Sequence, residues 1–219
     1  MNLQQIIIFS MEIVGTVAFA ASGAMVGIEK SMDIFGVCVL GVVTAVGGGM
    51  TRDIVLGIHP PGVFEKPAYV LVAVVTSCLV FVGMYFRQMR MDGDFGKIYD
   101  RAMLAMDSVG LGIFTAVGVN TGIMNDHPHE LFLLVFVGTV TGVGGGLLRD
   151  MMAGNPPYIF VRHVYACASI LGAFLCAVLY PWLGAAWAMF LSAAAVVVMR
   201  YLAAHYHWNL PRIGLGEKA

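Results

Sequence analysis

Two Arg-Asp pairs stand out in a chain with few other charges, Arg52-Asp53 and Arg149-Asp150. Each follows a triple glycine at the same spacing, Gly47, Gly48 and Gly49 in one case and Gly144, Gly145 and Gly146 in the other. An arginine beside an aspartate at the edge of an apolar run can do one of two things. The pair neutralises itself at a membrane surface, or the repeats bring both pairs toward one polar passage, where aspartates attract cations and arginines repel them. A charge within hydrocarbon costs at least about 2.5–3.5 kcal/mol, so such groups pair or face water. Glu12 and Asp107 form a third matched set, each about two helical turns before an equivalent aromatic, Phe19 or Phe114. Both read as vestibule or helix-packing acids.

The elements that must position these residues are membrane-spanning helices. The 219-residue chain is 59% hydrophobic and 11% charged, with a mean hydropathy of +0.85, too apolar for a water-soluble domain. A formal charge of -1 without a basic stripe argues against a nucleic-acid partner. A bilayer core of roughly 30 Å needs about 20 helical residues. Hydropathy then predicts seven spans: Ile6 to Val26, Ile34 to Gly49, Ala68 to Phe86, Ala102 to Thr121, Leu131 to Gly144, Val164 to Tyr180 and Leu183 to Leu202. The last two are divided only by Tyr180-Pro181-Trp182-Leu183-Gly184, whose proline and aromatics suit an interfacial turn. The first span is expected to be retained: Ala18-Phe19-Ala20 has a cleavage-like pattern, but Met1 to Gln5 contains no basic residue.

Basic residues orient the bundle. With the N-terminus outside, Lys30, Arg87, Arg90, Lys97, Arg101, Arg149, Arg162, Arg200, Arg212 and Lys218 fall toward the inner side, against Arg52 and Lys66 toward the outer. The chain reads as a multi-pass protein of the cell inner membrane, N-terminus outside and C-terminus cytoplasmic.

The glycine motif is part of an internal repeat. Gly47 to Gly57 aligns with Gly144 to Gly154 at an offset of 97, and Met11 to Gly15 aligns with Met106 to Gly110 at an offset of 95. Each copy holds three spans, so the second enters the membrane from the opposite side. The expected fold class is therefore all-α integral membrane, seven transmembrane helices arranged as an inverted 3+3 repeat plus a C-terminal helix. Its single domain divides at 1–100, 101–181 and 182–219. Three glycines near a helix end cost about 1 kcal/mol each relative to alanine, so the runs are expected to kink or unwind. The alternative is that they only permit close helix packing. Cys38, Cys78, Cys167 and Cys176 lie in apolar runs without metal-type spacing. His59, His127, His129, His163, His205 and His207 lack companion ligands at zinc spacing, and no phosphate-binding loop, metalloprotease helix or serine elbow is present. An enzyme, a cofactor and a metal centre are not expected.

The doubled Gly-Gly-Gly-x-x-Arg-Asp motif in a seven-span chain resembles the prokaryotic branch of the trimeric intracellular cation channel family, over Glu12 to about Tyr201. Closely similar bacterial sequences are also described as a glycine-transporter-like family. The resemblance implies a homotrimer with one hydrophilic pore in each protomer, lined by the glycine-kinked second and fifth spans and permeable to potassium and other monovalent cations. By motif, the kink residues would be Gly47 to Gly49 and Gly144 to Gly146, and the pore or gating charges Arg52, Asp53, Arg149 and Asp150. The implied partners are membrane lipid, further copies of the chain and permeant potassium or sodium. A secondary transporter of a small solute such as glycine is the alternative.

Overall fold

In hydrocarbon every backbone N–H and C=O must be satisfied within its own segment, and the chain meets this demand with helices throughout. The structure, a computed structural model, describes residues 3–88, 95–161 and 164–208. The long helices are α1 (Leu3–Glu29), α2 (Ile34–Val55), α4 (Ala68–Gln88), α5 (Phe95–Met124), α6 (Leu131–Met152) and α8 (Tyr165–His205), with two short ones, α3 (Gly62–Glu65) and α7 (Tyr158–Val161). Arg90, Arg162, His163, Arg212 and Lys218, named above for topology or ligation, lie outside the described residues.

The 41 residues of α8 would make a rod about 60 Å long, twice the hydrocarbon thickness. They do not form a rod. Pro181 lies inside the segment and Gly184 leaves helical geometry at φ 74° and ψ 169°. Ser192 Oγ donates to the Gly172 carbonyl at 2.7 Å, a contact between residues that a straight helix would hold about 30 Å apart. α8 is therefore an antiparallel hairpin, turning where Pro181 and Gly184 mark an interfacial bend. Its two arms bring the spans to seven among the described residues.

The repeat is visible element by element. α1, α2, α3 and α4 correspond to α5, α6, α7 and the first arm of α8; the second arm stands outside the repeat. α1, α2, α5 and α6 make the centre, α4 flanks α1 and α2, and α8 flanks α5 and α6. Small residues let these helices approach. Gly23 of α1 sits against Leu40, Gly41 and Thr44 of α2, and its counterpart Gly118 of α5 sits against Gly138 and Thr141 of α6. Ala18, Phe19 and Ala20 are buried in this core, so α1 is an integral part of the bundle.

The glycine runs differ from the expected unwound segment. α2 continues through Gly47, Gly48 and Gly49 to Val55, and α6 through Gly144, Gly145 and Gly146 to Met152. The runs are where α2 and α6 cross. A side-chain carbon added at Gly48 would overlap the Thr141 carbonyl oxygen, one at Gly145 would overlap the Thr44 carbonyl oxygen, and one at Gly144 would lie 3.0 Å from Gly48 Cα. Backbone-to-backbone contact at this crossing outweighs the poor helix propensity of glycine, because an unwound turn would leave amides unsatisfied in an apolar core. Unwinding comes later, at Gly57 (φ 69°) and Gly154 (φ 67°). There Ile58 N donates to Asp53 O at 2.8 Å and Asn155 N to Asp150 O at 2.9 Å, the left-handed helix stop that glycine accepts without strain.

Candidate functional site

Arg52 and Arg149 lie four residues beyond Gly48 and Gly145, and α2 and α6 run in opposite directions. Their backbone roots therefore stand about 6 Å to either side of the crossing. Two half-sites result, related by the repeat but different in state.

In the first half-site, Arg52 donates through Nε and Nη2 to Asp53 Oδ1, at 2.9 and 2.7 Å. Asp53 Oδ2 accepts from Gly62 N at 2.9 Å, which ties the end of α2 to the start of α3. Glu12 on α1 accepts a short hydrogen bond from the Tyr69 hydroxyl on α4. These groups line a cavity of about 120 Å³, together with Thr16, Gly49, Lys66 and Phe114 among others. The cavity is reached from outside the bundle: the Arg52 side chain retains 14% of its exposure.

The second half-site holds the counterparts and is sealed. Arg149 Nε donates to Asp150 Oδ1 at 2.8 Å, and Asp150 Oδ2 accepts from Tyr158 N at 2.8 Å, repeating the tie to the following short helix. Arg149 Nη1, however, reaches across to Asp107 Oδ1 at 2.7 Å and to the Ser22 hydroxyl. Tyr165, the counterpart of Tyr69, has its hydroxyl 3.5 Å from the same Asp107 oxygen. Arg149 and Asp107 are both 0% exposed. Two ionised groups this deep persist only because each compensates the other, since one left alone would cost several kcal/mol. Arg200 Nη2 stands 3.9 Å from Asp107 Oδ2, and its guanidinium lies 4.7 Å from the Tyr165 ring centroid. Two arginines and two aspartates thus balance in charge. Asp107 Oδ2 and Arg149 Nη2 nevertheless make no hydrogen bond, a sign that the cluster is not saturated.

Phe19 and Phe114, with centroids 5.3 Å apart, lie between the half-sites beside the glycine crossing.

The structure gathers the six charges singled out in the sequence into two half-sites, Glu12, Arg52 and Asp53 in one and Asp107, Arg149 and Asp150 in the other. Asp107 is not at an interface: α5 begins at Phe95, seven residues before the expected span start, which carries this acid into the core. Arg200, counted above with the inner-face cations, is 2% exposed inside the bundle. Tyr69, Tyr165 and Ser22 were missed. The tyrosines were legible as a pair, since their offset of 96 lies between the two offsets of the repeat, 95 and 97. Ser22 had no such signal, because its position facing Arg149 depends on helix packing.

Fold and site together define a polytopic α-helical membrane protein with inverted repeats and a charged, partly sealed centre. A family model described as "Glycine transporter" matches residues 9–85 and again 104–181, one copy for each repeat, and the chain belongs to that family. The UPF0126 inner membrane protein YadS of Escherichia coli (strain K12) is 36% identical over 213 residues, covering 96% of this chain and 98% of the relative. YvgT of Bacillus subtilis (strain 168) is 31% identical over 201 residues, 92% and 94% of the two chains. Among solved structures, a prokaryotic TRIC channel crystallised in 0.5 M KCl superposes at a TM-score of 0.84, with 30% identity over 94% of this chain and 100% of that one. The TRIC trimeric intracellular cation channel orthologue from Rhodobacter sphaeroides gives 0.80 and 31%, covering 92% and 98%. The resemblance carried by the doubled motif therefore holds: this is a chain of the prokaryotic TRIC group, which the family model names for glycine transport.

Proposed function

We propose that this chain is a monovalent cation channel of the inner membrane, permeable to potassium and sodium, with one pore in each protomer of a homotrimer. The observation that carries the reading is the asymmetric pair of half-sites on one axis. On one side Glu12 and the paired Arg52 and Asp53 line a cavity reached from outside; on the other Arg149 is locked onto Asp107 and Asp150 in a sealed cluster. Glu12, bound to the Tyr69 hydroxyl rather than to an arginine, is the cavity acid that attracts cations, and the buried guanidinium repels them until it leaves the path. In this reading the state described is a closed one. The similarity to solved TRIC cation channels supports the same function. With the N-terminus outside, the open cavity faces outward and the sealed cluster lies toward the cytoplasm.

A small-solute transporter is the second reading, favoured by the family description and by the same asymmetry, since one open and one sealed half-site is also what alternating access requires. Flux through protein reconstituted in liposomes separates the two. The channel reading expects potassium movement that is passive, reduced by Asp53→Ala and indifferent to glycine; saturable glycine uptake without potassium conductance would replace it with the transporter.

A further inference from the structure

The four cysteines follow no motif, yet folding brings two of them together. Cys38 of α2 and Cys78 of α4, 40 residues apart in sequence, have their Sγ atoms 3.5 Å apart, and both are free thiols. Their juxtaposition is held by a tight crossing one turn away. Gly41 of α2 packs against Ser77 of α4 so closely that an added side-chain carbon would overlap the Ser77 hydroxyl, which itself donates to Ala73 O at 2.8 Å. α2 and α4 therefore have little freedom to separate here. Cys38 also lines an apolar groove on the outside of the bundle with Phe35, Val42 and Val74. Such a groove faces lipid, so charged oxidants are kept out while small neutral ones partition in.

We propose that Cys38 and Cys78 form a dithiol modification site, closed to a disulfide by a small membrane-permeant peroxide, that staples α2 to α4. One sulfur attacks a peroxide oxygen, the O–O bond breaks, and a sulfenic acid and water form. The second sulfur then attacks the sulfenyl sulfur, the S–O bond breaks, and a second water leaves with the remaining thiol proton. Two thiols are oxidised and one peroxide is reduced. A disulfide needs a sulfur separation of about 2.05 Å, so the pair closes by ~1.5 Å, within reach of side-chain rotation. Cys167 and Cys176 lie on one arm of α8, nine residues or about 13 Å apart along the helix, and serve as internal controls.

The test is independent of whether the chain conducts ions. The full-length protein in liposomes is treated with hydrogen peroxide, and the remaining thiols are then alkylated and counted by intact mass and peptide mapping. The expected result is loss of two alkylatable thiols, a peptide linked through Cys38 and Cys78, and a higher apparent melting midpoint that dithiothreitol reverses. Cys38→Ser and Cys78→Ser each abolish the link, and the mapping of unsubstituted protein stands even if a variant folds poorly. Retention of all four thiols, cross-links between chains, or a net gain of oxygen at Cys38 without the link would overturn the site.

Discussion

Replacing Gly48 by alanine tests whether the glycine runs act as hinges or as contact surfaces. The added carbon would meet the Thr141 carbonyl carbon at 3.1 Å and Gly145 N at 3.2 Å, and would overlap the carbonyl oxygen outright. These are backbone atoms of the facing helix, so relief requires α2 and α6 to move apart. Overpacking of that kind costs about 1–3 kcal/mol. One residue on, the same carbon at Gly49 meets only Arg52 Nη2, at 3.7 Å, an ordinary van der Waals contact. There the substitution should be neutral or gain up to about 1 kcal/mol from helix propensity. Thermal unfolding of purified protein in detergent, followed by fluorescence-detected size exclusion, should show Gly48→Ala melting well below the parent and Gly49→Ala at or above it. A hinge would respond alike to both substitutions. Equal effects at Gly48 and Gly49, or an unaffected Gly48→Ala, would refute the packing argument.

Removing Arg149 with Arg149→Ala strands Asp107 and Asp150 in a sealed core, and loss of one partner from a buried ion pair costs about 3–5 kcal/mol; folded yield should collapse and recover in part when Asp107→Asn is added. Tyr69→Phe removes the hydroxyl that donates to Glu12 while leaving the ring in place, so potassium flux should change at nearly unchanged melting temperature; unchanged flux would remove Glu12 from the pathway. Gly172→Leu should separate the arms of α8, because even one carbon there overlaps Val196, and the variant should be proteolysed near Pro181 and Gly184 far faster than the parent. A cysteine placed at Asp126 in a chain whose own four cysteines are serine should react with an impermeant maleimide from outside the cell; labelling only after lysis would reverse the orientation.

Much of the fold was legible in the sequence because a bilayer allows so few solutions. Length and hydropathy define the spans, and the doubled motif defines the inverted repeat. The turn at Pro181 to Gly184 was readable from proline and aromatics, and the Gly172 to Ser192 contact shows why it must be a turn. Propensity alone could not decide between the two roles open to the glycines. Unwinding at Gly47 to Gly49 would gain backbone freedom but forfeit the α2–α6 contact, which involves residues 97 positions away and leaves no local trace. The burial of Arg200 left no local trace either. Hydropathy puts it near the end of its span, where cations normally reach water, whereas in the fold it lies beside Asp107 and Tyr165. The asymmetry between half-sites could not be read at all, since Arg52 and Arg149 occupy equivalent motifs and bind equivalent aspartates, and only Arg149 also reaches across to Asp107 and Ser22.

The central claim is that a cation path runs through each protomer and is closed at Arg149. Planar-bilayer recording from the purified, reconstituted protein in a potassium gradient tests it most directly. Unitary potassium currents, insensitive to added glycine and diminished by Asp53→Ala, are the predicted result. An electrically silent protein that accumulates glycine saturably would contradict it.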